Sequence, residues 1–221
     1  MVNILLEGNR IGDKWLYDEL KNYIKPHHKV AVVALSFRSY EASNAKEWQA
    51  LYGKNGKYYH GITSGLMSYG ISEDNISFLN YFQDTREQMI SKIKCADILY
   101  FLGGRPDSMM ERIEEIGLAD AMKSHDGIIM GYSAGAVIQL KQYHLSRDHE
   151  YPTFAYYHGL GYIDGFYLEV HYEATPDQED AIKALLSEQD CPIYASYLMD
   201  GALIVENGAV KPIGKVEIFK N

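Results

Sequence analysis

A serine lies at the centre of a glycine-flanked segment, residues 131–135, with the sequence Gly-Tyr-Ser-Ala-Gly. The segment follows an apolar run and precedes a helix-compatible stretch, which places Gly-x-Ser-x-Gly at a strand-to-helix turn. Such a turn holds the serine in a strained conformation, and glycines two residues before and after it avoid collisions with the neighbouring strand and helix. The pattern predicts that Ser133 is a nucleophile and that the amide of Ala134 can donate to a developing oxyanion.

A serine hydroxyl needs a base that removes its proton, and a histidine held by an acid commonly fills that role. The chain contains eight histidines. Only His171 lies at the end of a clear strand pattern, in residues 168–172. We therefore expect His171 to be the general base.

The acid that orients this histidine is less well defined by sequence. Hydrolases with this turn carry their catalytic residues in the order serine, acid, histidine. Asp148 and Glu150 both lie between Ser133 and His171, and the residue pattern leaves both open. The acids that flank His171 reach its ring poorly, because adjacent strand residues point to opposite faces.

Short apolar runs alternate with longer amphipathic stretches through the first two thirds of the chain. The apolar runs predict strands at residues 2–6, 30–35, 76–82, 97–102 and 127–130. The amphipathic stretches predict helices at residues 14–24, 45–69 with a break near 53–56, 85–93, 108–123 with a break at 117, and 134–140. This alternation is typical of a parallel sheet with helices on both faces, in which ligands bind beyond the carboxyl ends of the strands. The glycine pair 103–104 and the serine turn both follow such ends.

The C-terminal third has a different pattern. Strands are predicted at residues 167–172 and 192–197, with a helix at 176–187 between them. A hairpin is predicted from strands at 202–205 and 210–219, because Asn207 and Gly208 favour a turn with two positive φ angles.

Composition excludes several classes of protein. With 221 residues, 47% hydrophobic and 23% charged, the chain is expected to form one domain over residues 1–221. Its two distant cysteines argue against a disulfide framework or a zinc site and favour a reducing cytoplasm. The net charge of −9 without a basic cluster argues against nucleic acid or an anionic membrane as a partner. No apolar run approaches the roughly 20 residues needed to span a bilayer.

Three segments resemble the family of serine peptidases that includes aspartyl dipeptidase (peptidase E) and cyanophycinase. They are the serine turn at 131–136, the strand and glycine pair at 100–104, and the histidine segment at 170–172. The resemblance implies a class I glutamine amidotransferase-like (flavodoxin-like) fold. That fold is a three-layer α/β sandwich with a mainly parallel central sheet and a nucleophile elbow after a central strand.

The resemblance also implies roles for individual residues. Ser133 corresponds to the nucleophile and His171 to the general base, while the amides of Ala134 and Gly104 correspond to the oxyanion hole. The family's acid precedes a short x-Pro step, which matches Glu150 better than Asp148. No metal or organic cofactor is implied.

Two departures from the family concern the substrate. Arg105 replaces the asparagine that usually follows the glycine pair. Its cation either favours an acidic substrate group or points to solvent. The family's basic, glycine-rich segment after the histidine corresponds here to residues 173–180, which are acidic and contain no arginine. Aspartyl specificity is therefore not expected.

The expected function is hydrolysis of a peptide or amide bond in a small substrate through an acyl-enzyme, by a monomer or a homodimer. One alternative is an esterase of the α/β-hydrolase kind, although 221 residues is short for that fold. The other is an amidotransferase-like domain that has lost its chemistry and binds a small ligand or a partner.

Overall fold

The computed structural model describes residues 1–221 and contains ten strands and eight helices. The strands are β1 (Val2–Leu6), β2 (Val30–Val33), β3 (Ile76–Phe78), β4 (Ile98–Phe101), β5 (Ile128–Tyr132), β6 (Gln142–Leu145), β7 (Ala155–His158), β8 (Tyr167–Tyr172), β9 (Ile193–Glu206) and β10 (Ala209–Phe219). The helices are α1 (Lys14–Leu20), α2 (Ala45–Tyr52), α3 (Tyr59–Met67), α4 (Arg86–Cys95), α5 (Pro106–Ile116), α6 (Ala119–Lys123), α7 (Ala134–Val137) and α8 (Pro176–Glu188). None of the helices has the length and apolar character required to cross a membrane.

Eight strands form one mixed sheet. Strands β1, β5, β4, β2 and β3 lie side by side in that order and run parallel. Strand β9 pairs antiparallel with β1 and with β10, and parallel with β8. Strands β6 and β7 form a separate antiparallel pair. The mainly parallel central sheet is thus confirmed, and the carboxyl ends of β1, β4 and β5 meet at one edge.

Two apolar cores cover the two faces of this sheet. Alternate residues of β2 show the division, since Ala31 and Val33 belong to one core and Val30 and Val32 to the other. Helices α4, α5 and α7 contribute to the first core, and α1, α2 and α3 to the second. Burial on both faces explains why the predicted parallel strands are continuous apolar runs. The result is the three-layer arrangement expected from the sequence.

Most element boundaries lie within a few residues of the predicted ones. The stretch 45–69 is divided into α2 and α3 at the predicted glycines, and α5 ends at Gly117, whose φ of 76° is the left-handed helix cap that glycine favours. Asn207 and Gly208 both have positive φ, as the hairpin prediction requires. The predicted strands 192–197 and 202–205 form one long strand, β9, and the β6–β7 pair was not predicted.

Candidate active site

Ser133 lies on a sharp turn between β5 and α7. Its φ and ψ are 52° and −117°, a conformation that non-glycine residues rarely adopt. The two flanking glycines have no room for a side chain. A Cβ on Gly131 would lie 2.1 Å from the carbonyl oxygen of Gly135, and a Cβ on Gly135 would lie 2.1 Å from that of Phe101. The turn therefore depends on both glycines to keep the strained serine in place.

Replacement of Gly135 with alanine is expected to destabilise the protein and to lower its activity. The new methyl group must displace the backbone of β4, and overpacking of this kind costs about 1–3 kcal/mol. In a protein of this size Tm falls by about 2–4 °C per kcal/mol, which calorimetry can measure. Gly61→Ala is the matched control, because a Cβ at this helical position meets nothing closer than 3.9 Å. Equal Tm values for the two variants would contradict the steric account.

Ser133, His171 and Glu7 form a continuous chain of contacts. Oγ of Ser133 lies 2.7 Å from Nε2 of His171. Nδ1 of His171 is in close contact with Oε1 of Glu7, whose other oxygen accepts a 2.7 Å hydrogen bond from the backbone N–H of His171. The Glu7 side chain is only 3% exposed. A carboxylate at Nδ1 favours the tautomer that leaves Nε2 free to accept a proton from the serine.

Neighbouring strands bring Glu7 to this position. Strand β1 pairs with β5 so that Leu6 lies opposite Tyr132, the residue before the serine. The backbone N–H of Ser133 donates to the carbonyl of Leu6 at 2.9 Å. Glu7 directly follows the last residue of β1, so the parallel pairing places its carboxylate beside the serine turn.

An irregularity in β8 positions His171. The register with β9 shifts between Glu169 and Tyr172, and His171 has a φ of 55°. A bulge of this kind changes the direction of a side chain at the end of a strand. The conformation is held by the bond from the His171 amide to Glu7 and by a 2.8 Å bond from Nε2 of Gln178 to the His171 carbonyl.

The structure corrects the predicted acid. Glu150 binds the guanidinium of Arg38, with Nε and Nη2 each 2.5 Å from Oε1. Asp148 accepts the backbone N–H groups of Glu150 and Tyr151 at 2.7 Å and closes a local turn. Neither contacts His171. The order serine, acid, histidine predicts an acid after the serine, whereas the carboxylate that contacts His171 directly follows the first strand. The available signal was an acidic residue directly after an apolar strand, at the edge where the parallel strands end.

Two backbone amides are available beside the serine. The glycine pair after β4 lies against the elbow, because a Cβ on Gly103 would be 3.3 Å from that of Ser133. Gly104 has a φ of 138°, which glycine tolerates best. The N–H groups of Gly104 and Ala134 donate no backbone hydrogen bond, and both residues line the same cavity. These are the two amides that the family resemblance predicts for the oxyanion hole.

Arg105 does not present its charge to the cavity. Its Nε and Nη2 bind the two carboxylate oxygens of Asp107 at 3.1 and 2.5 Å, and the guanidinium lies 4.7 Å from the centre of the Tyr151 ring. It is absent from the cavity lining. Of the two alternatives for Arg105, the pairing with Asp107 does not favour binding of an acidic substrate group, because a carboxylate two residues away already neutralises the cation.

The cavity above the sheet edge has a volume of about 600 Å³, and Ser133 and His171 both line it. Its walls come from the turns after β2, β4 and β5 and from the segments around β6 and β8. No group of three or more histidine, cysteine, aspartate or glutamate side chains is arranged to hold a metal ion.

Activity is expected to rise with pH through a pKa above the ordinary histidine value. Withdrawal from water lowers the pKa of His171, but the hydrogen bond and charge of Glu7, with smaller contributions from Glu169 and Glu173, outweigh it and raise the pKa above 6.5. A base works only when neutral, so protonation below this pKa removes activity. We expect the acid limb of kcat/KM to have its midpoint above pH 6.5. A midpoint below 6 would show that Glu7 does not control this ring.

Comparison with known proteins gives a family match and a fold match. The family model of peptidase family S51 matches residues 49–212, a span that includes Ser133 and His171 but not Glu7. A Listeria monocytogenes structure assigned to peptidase E superposes with a TM-score of 0.67 at 17% identity. The superposition covers 97% of this chain and 98% of the Listeria chain. A peptidase from an acI-B1 Actinobacterium superposes with a TM-score of 0.67 at 18% identity. The superposition covers 99% of this chain and 90% of the Actinobacterium chain. No curated protein matches the sequence. The two structures confirm the predicted fold class.

Proposed function

The chain belongs to peptidase family S51, and on that premise we propose that it cleaves small peptides through an acyl-enzyme on Ser133. One observation carries this proposal: the unbroken series of contacts from Oγ of Ser133 through the ring of His171 to the buried carboxylate of Glu7. The free amides of Gly104 and Ala134 support it, since they can bind the oxygen that becomes negative during the reaction.

The first half of the reaction forms the acyl-enzyme. Nε2 of His171 takes the proton of Ser133 as Oγ attacks the carbonyl carbon of the scissile bond. The carbonyl oxygen gains a negative charge and accepts hydrogen bonds from the amides of Gly104 and Ala134. Glu7 stabilises the imidazolium that forms. The imidazolium then gives its proton to the leaving nitrogen, the C–N bond breaks, and the amine departs.

The second half releases the acid. A water molecule takes the place of the amine, His171 removes one of its protons, and the resulting hydroxide attacks the ester carbon. The same two amides hold the second oxyanion. The bond to Oγ breaks as His171 returns the proton to Ser133, which restores the enzyme.

The cavity volume supports a small substrate. About 600 Å³ lies within the range of roughly 300–1,000 Å³ that is typical of sites for small molecules. A peptide of a few residues fits this space. We therefore propose short peptides rather than folded proteins as substrates.

A substrate panel tests the proposed function. Purified protein is incubated with unblocked dipeptides and tripeptides, N-acetylated peptides, simple esters and casein, and the released amines or acids are quantified. We expect the short peptides to be hydrolysed and casein to remain intact. Turnover of esters alone would indicate an esterase. Thermal stabilisation by peptides without hydrolysis of any substrate would indicate a binding domain, and either result would overturn the proposal.

A further inference from the structure

One wall of the cavity combines three tyrosines with a carboxylate. We call Tyr52, Tyr58, Tyr132 and Glu41 the aromatic subsite. The rings of Tyr52 and Tyr58 have their centres 5.7 Å apart. Tyr132 directly precedes Ser133. Tyr132 and Glu41 line the same cavity as Tyr52. Burial raises the pKa of the Tyr52 hydroxyl, and the charges of Tyr132 and Glu41 raise it further.

The hydroxyl of Tyr52 is available to a ligand. The residue is only 5% exposed and lines the cavity. The Tyr52 hydroxyl is not one of the fully buried polar atoms that lack a hydrogen-bond partner. Because the residue lines the cavity, a polar group of a bound substrate can take the place of water at this hydroxyl.

The carboxylate of Glu41 is only partly neutralised. Its Oε2 accepts the backbone N–H of Arg38 at 2.9 Å and lies 3.7 Å from Nη1 of the same residue. The guanidinium of Arg38 is itself bound to Glu150 at 2.5 Å. Two carboxylates thus share one cation inside the cavity. Lys57 lies 4.8 Å from the centre of the Tyr58 ring but does not line the cavity.

Carboxylates outnumber guanidinium groups in the cavity as a whole. Five carboxylates line it: Glu41, Asp148, Glu150, Glu169 and Glu173. Its two guanidinium groups are both paired, Arg38 with Glu150 and Arg147 with Asp177, the latter at 2.5 Å. Two of the five carboxylates are paired within the cavity, Glu150 with Arg38 and Glu169 with His144. Glu41, Asp148 and Glu173 leave net negative charge, which favours a cationic substrate over an acidic one.

The position of the subsite determines which part of a substrate it meets. The leaving nitrogen receives its proton from His171, so the leaving group must lie on the side of that ring. Glu7 reaches Ser133 from β1, on one side of β5, whereas Gly104 and Glu41 follow β4 and β2 on the other. The aromatic subsite therefore faces the residue that supplies the scissile carbonyl.

We infer that the aromatic subsite selects a lysyl or arginyl side chain on the carbonyl side of the scissile bond. The inference rests on the proposed function of the same site. The tyrosine faces cover the aliphatic part of such a side chain and attract its charge. The free Oε1 of Glu41 and the Tyr52 hydroxyl accept hydrogen bonds from the terminal ammonium or guanidinium.

Kinetic measurements test the selectivity directly. The dipeptides Lys-Ala, norleucine-Ala, Phe-Ala and Asp-Ala are compared by kcat/KM, since norleucine reproduces the lysine stem without its charge. We expect Lys-Ala to exceed norleucine-Ala by about tenfold, equivalent to ~1.4 kcal/mol, and Asp-Ala to be the poorest. Glu41→Gln should reduce the ratio of lysine to norleucine to near one. Glu206→Gln, at an exposed position that does not line the cavity, should leave that ratio in place.

A binding measurement separates this inference from the proposed function. Ser133→Ala protein is titrated with Lys-Ala, norleucine-Ala, Phe-Ala and Asp-Ala by calorimetry, with and without Glu41→Gln. We expect Kd to be about tenfold lower for Lys-Ala and the difference to vanish with Glu41→Gln. Equal binding, or a preference for Phe-Ala or Asp-Ala, would overturn the inference. A lysyl preference in binding without hydrolysis by the wild-type protein would sustain the subsite and refute the peptidase mechanism.

Discussion

Ser133→Ala is expected to lower kcat by about 10⁴- to 10⁶-fold and to leave Tm close to that of the wild-type protein. The mutation removes the only atom that can form the acyl bond, and His171 then has no hydroxyl 2.7 Å away to deprotonate. Alanine keeps the Cβ and introduces no larger group into the turn. Residual turnover would come from the oxyanion amides and substrate binding alone.

The matched control for this variant is Ser187→Ala. Ser187 is exposed on α8, bonds only the carbonyl of Ala184, and does not line the cavity. Hydrolysis of the best dipeptide is followed for both variants beside the wild-type protein. If Ser133→Ala keeps more than about a tenth of the wild-type kcat, the covalent mechanism is wrong, since triad serines contribute far more than that.

Glu7→Gln is expected to have the next largest effect, a loss of about 10⁴-fold in kcat. The amide oxygen of glutamine can still accept the His171 backbone N–H, which turns the NH₂ group toward Nδ1. The ring would then carry its proton on Nε2 and could no longer accept one from Ser133. Loss of the negative charge also removes the main cause that raises the His171 pKa. We therefore expect the acid limb of the residual activity to move to lower pH.

Glu150→Gln is the informative comparison for this variant, because Glu150 was the acid favoured by sequence. The Glu150→Gln variant should disturb Arg38 without shifting the acid limb of the pH profile, because the carboxylate of Glu150 binds Arg38 and does not contact His171. Full pH profiles of kcat/KM for both variants decide between the two acids. A larger loss and a shifted limb for Glu150→Gln would restore the sequence-based assignment.

The contrast between these acids illustrates what a single sequence can provide. The serine turn was predictable because five adjacent residues determine it, and steric exclusion explains both glycines. Glu7 and His171 are 164 residues apart and meet because β1 and β8 both pair with the long strand β9. Strand order is set by packing of the whole domain, so no local pattern could have paired them.

The direction of the His171 side chain, the pairing of Arg105 and the β6–β7 pair depend on tertiary contacts that local sequence patterns do not determine. The bulge and positive φ that direct His171 toward Ser133 arise from pairing with β9 and from the bond to Glu7. The charge of Arg105 is evident from the sequence, but its pairing with Asp107 depends on side-chain conformations that the sequence alone does not determine. No short turn of the Asn-Gly kind connects β6 and β7, so the local sequence does not predict that these two strands pair.

The most direct test of the account is the site of modification by a fluorophosphonate, mapped by peptide mass spectrometry and followed together with peptidase activity. The account predicts a single adduct on Ser133, loss of activity in proportion to labelling, protection by a dipeptide substrate, and slow labelling of Glu7→Gln protein. An adduct on another residue, or full peptidase activity in protein that the probe does not label, would contradict it.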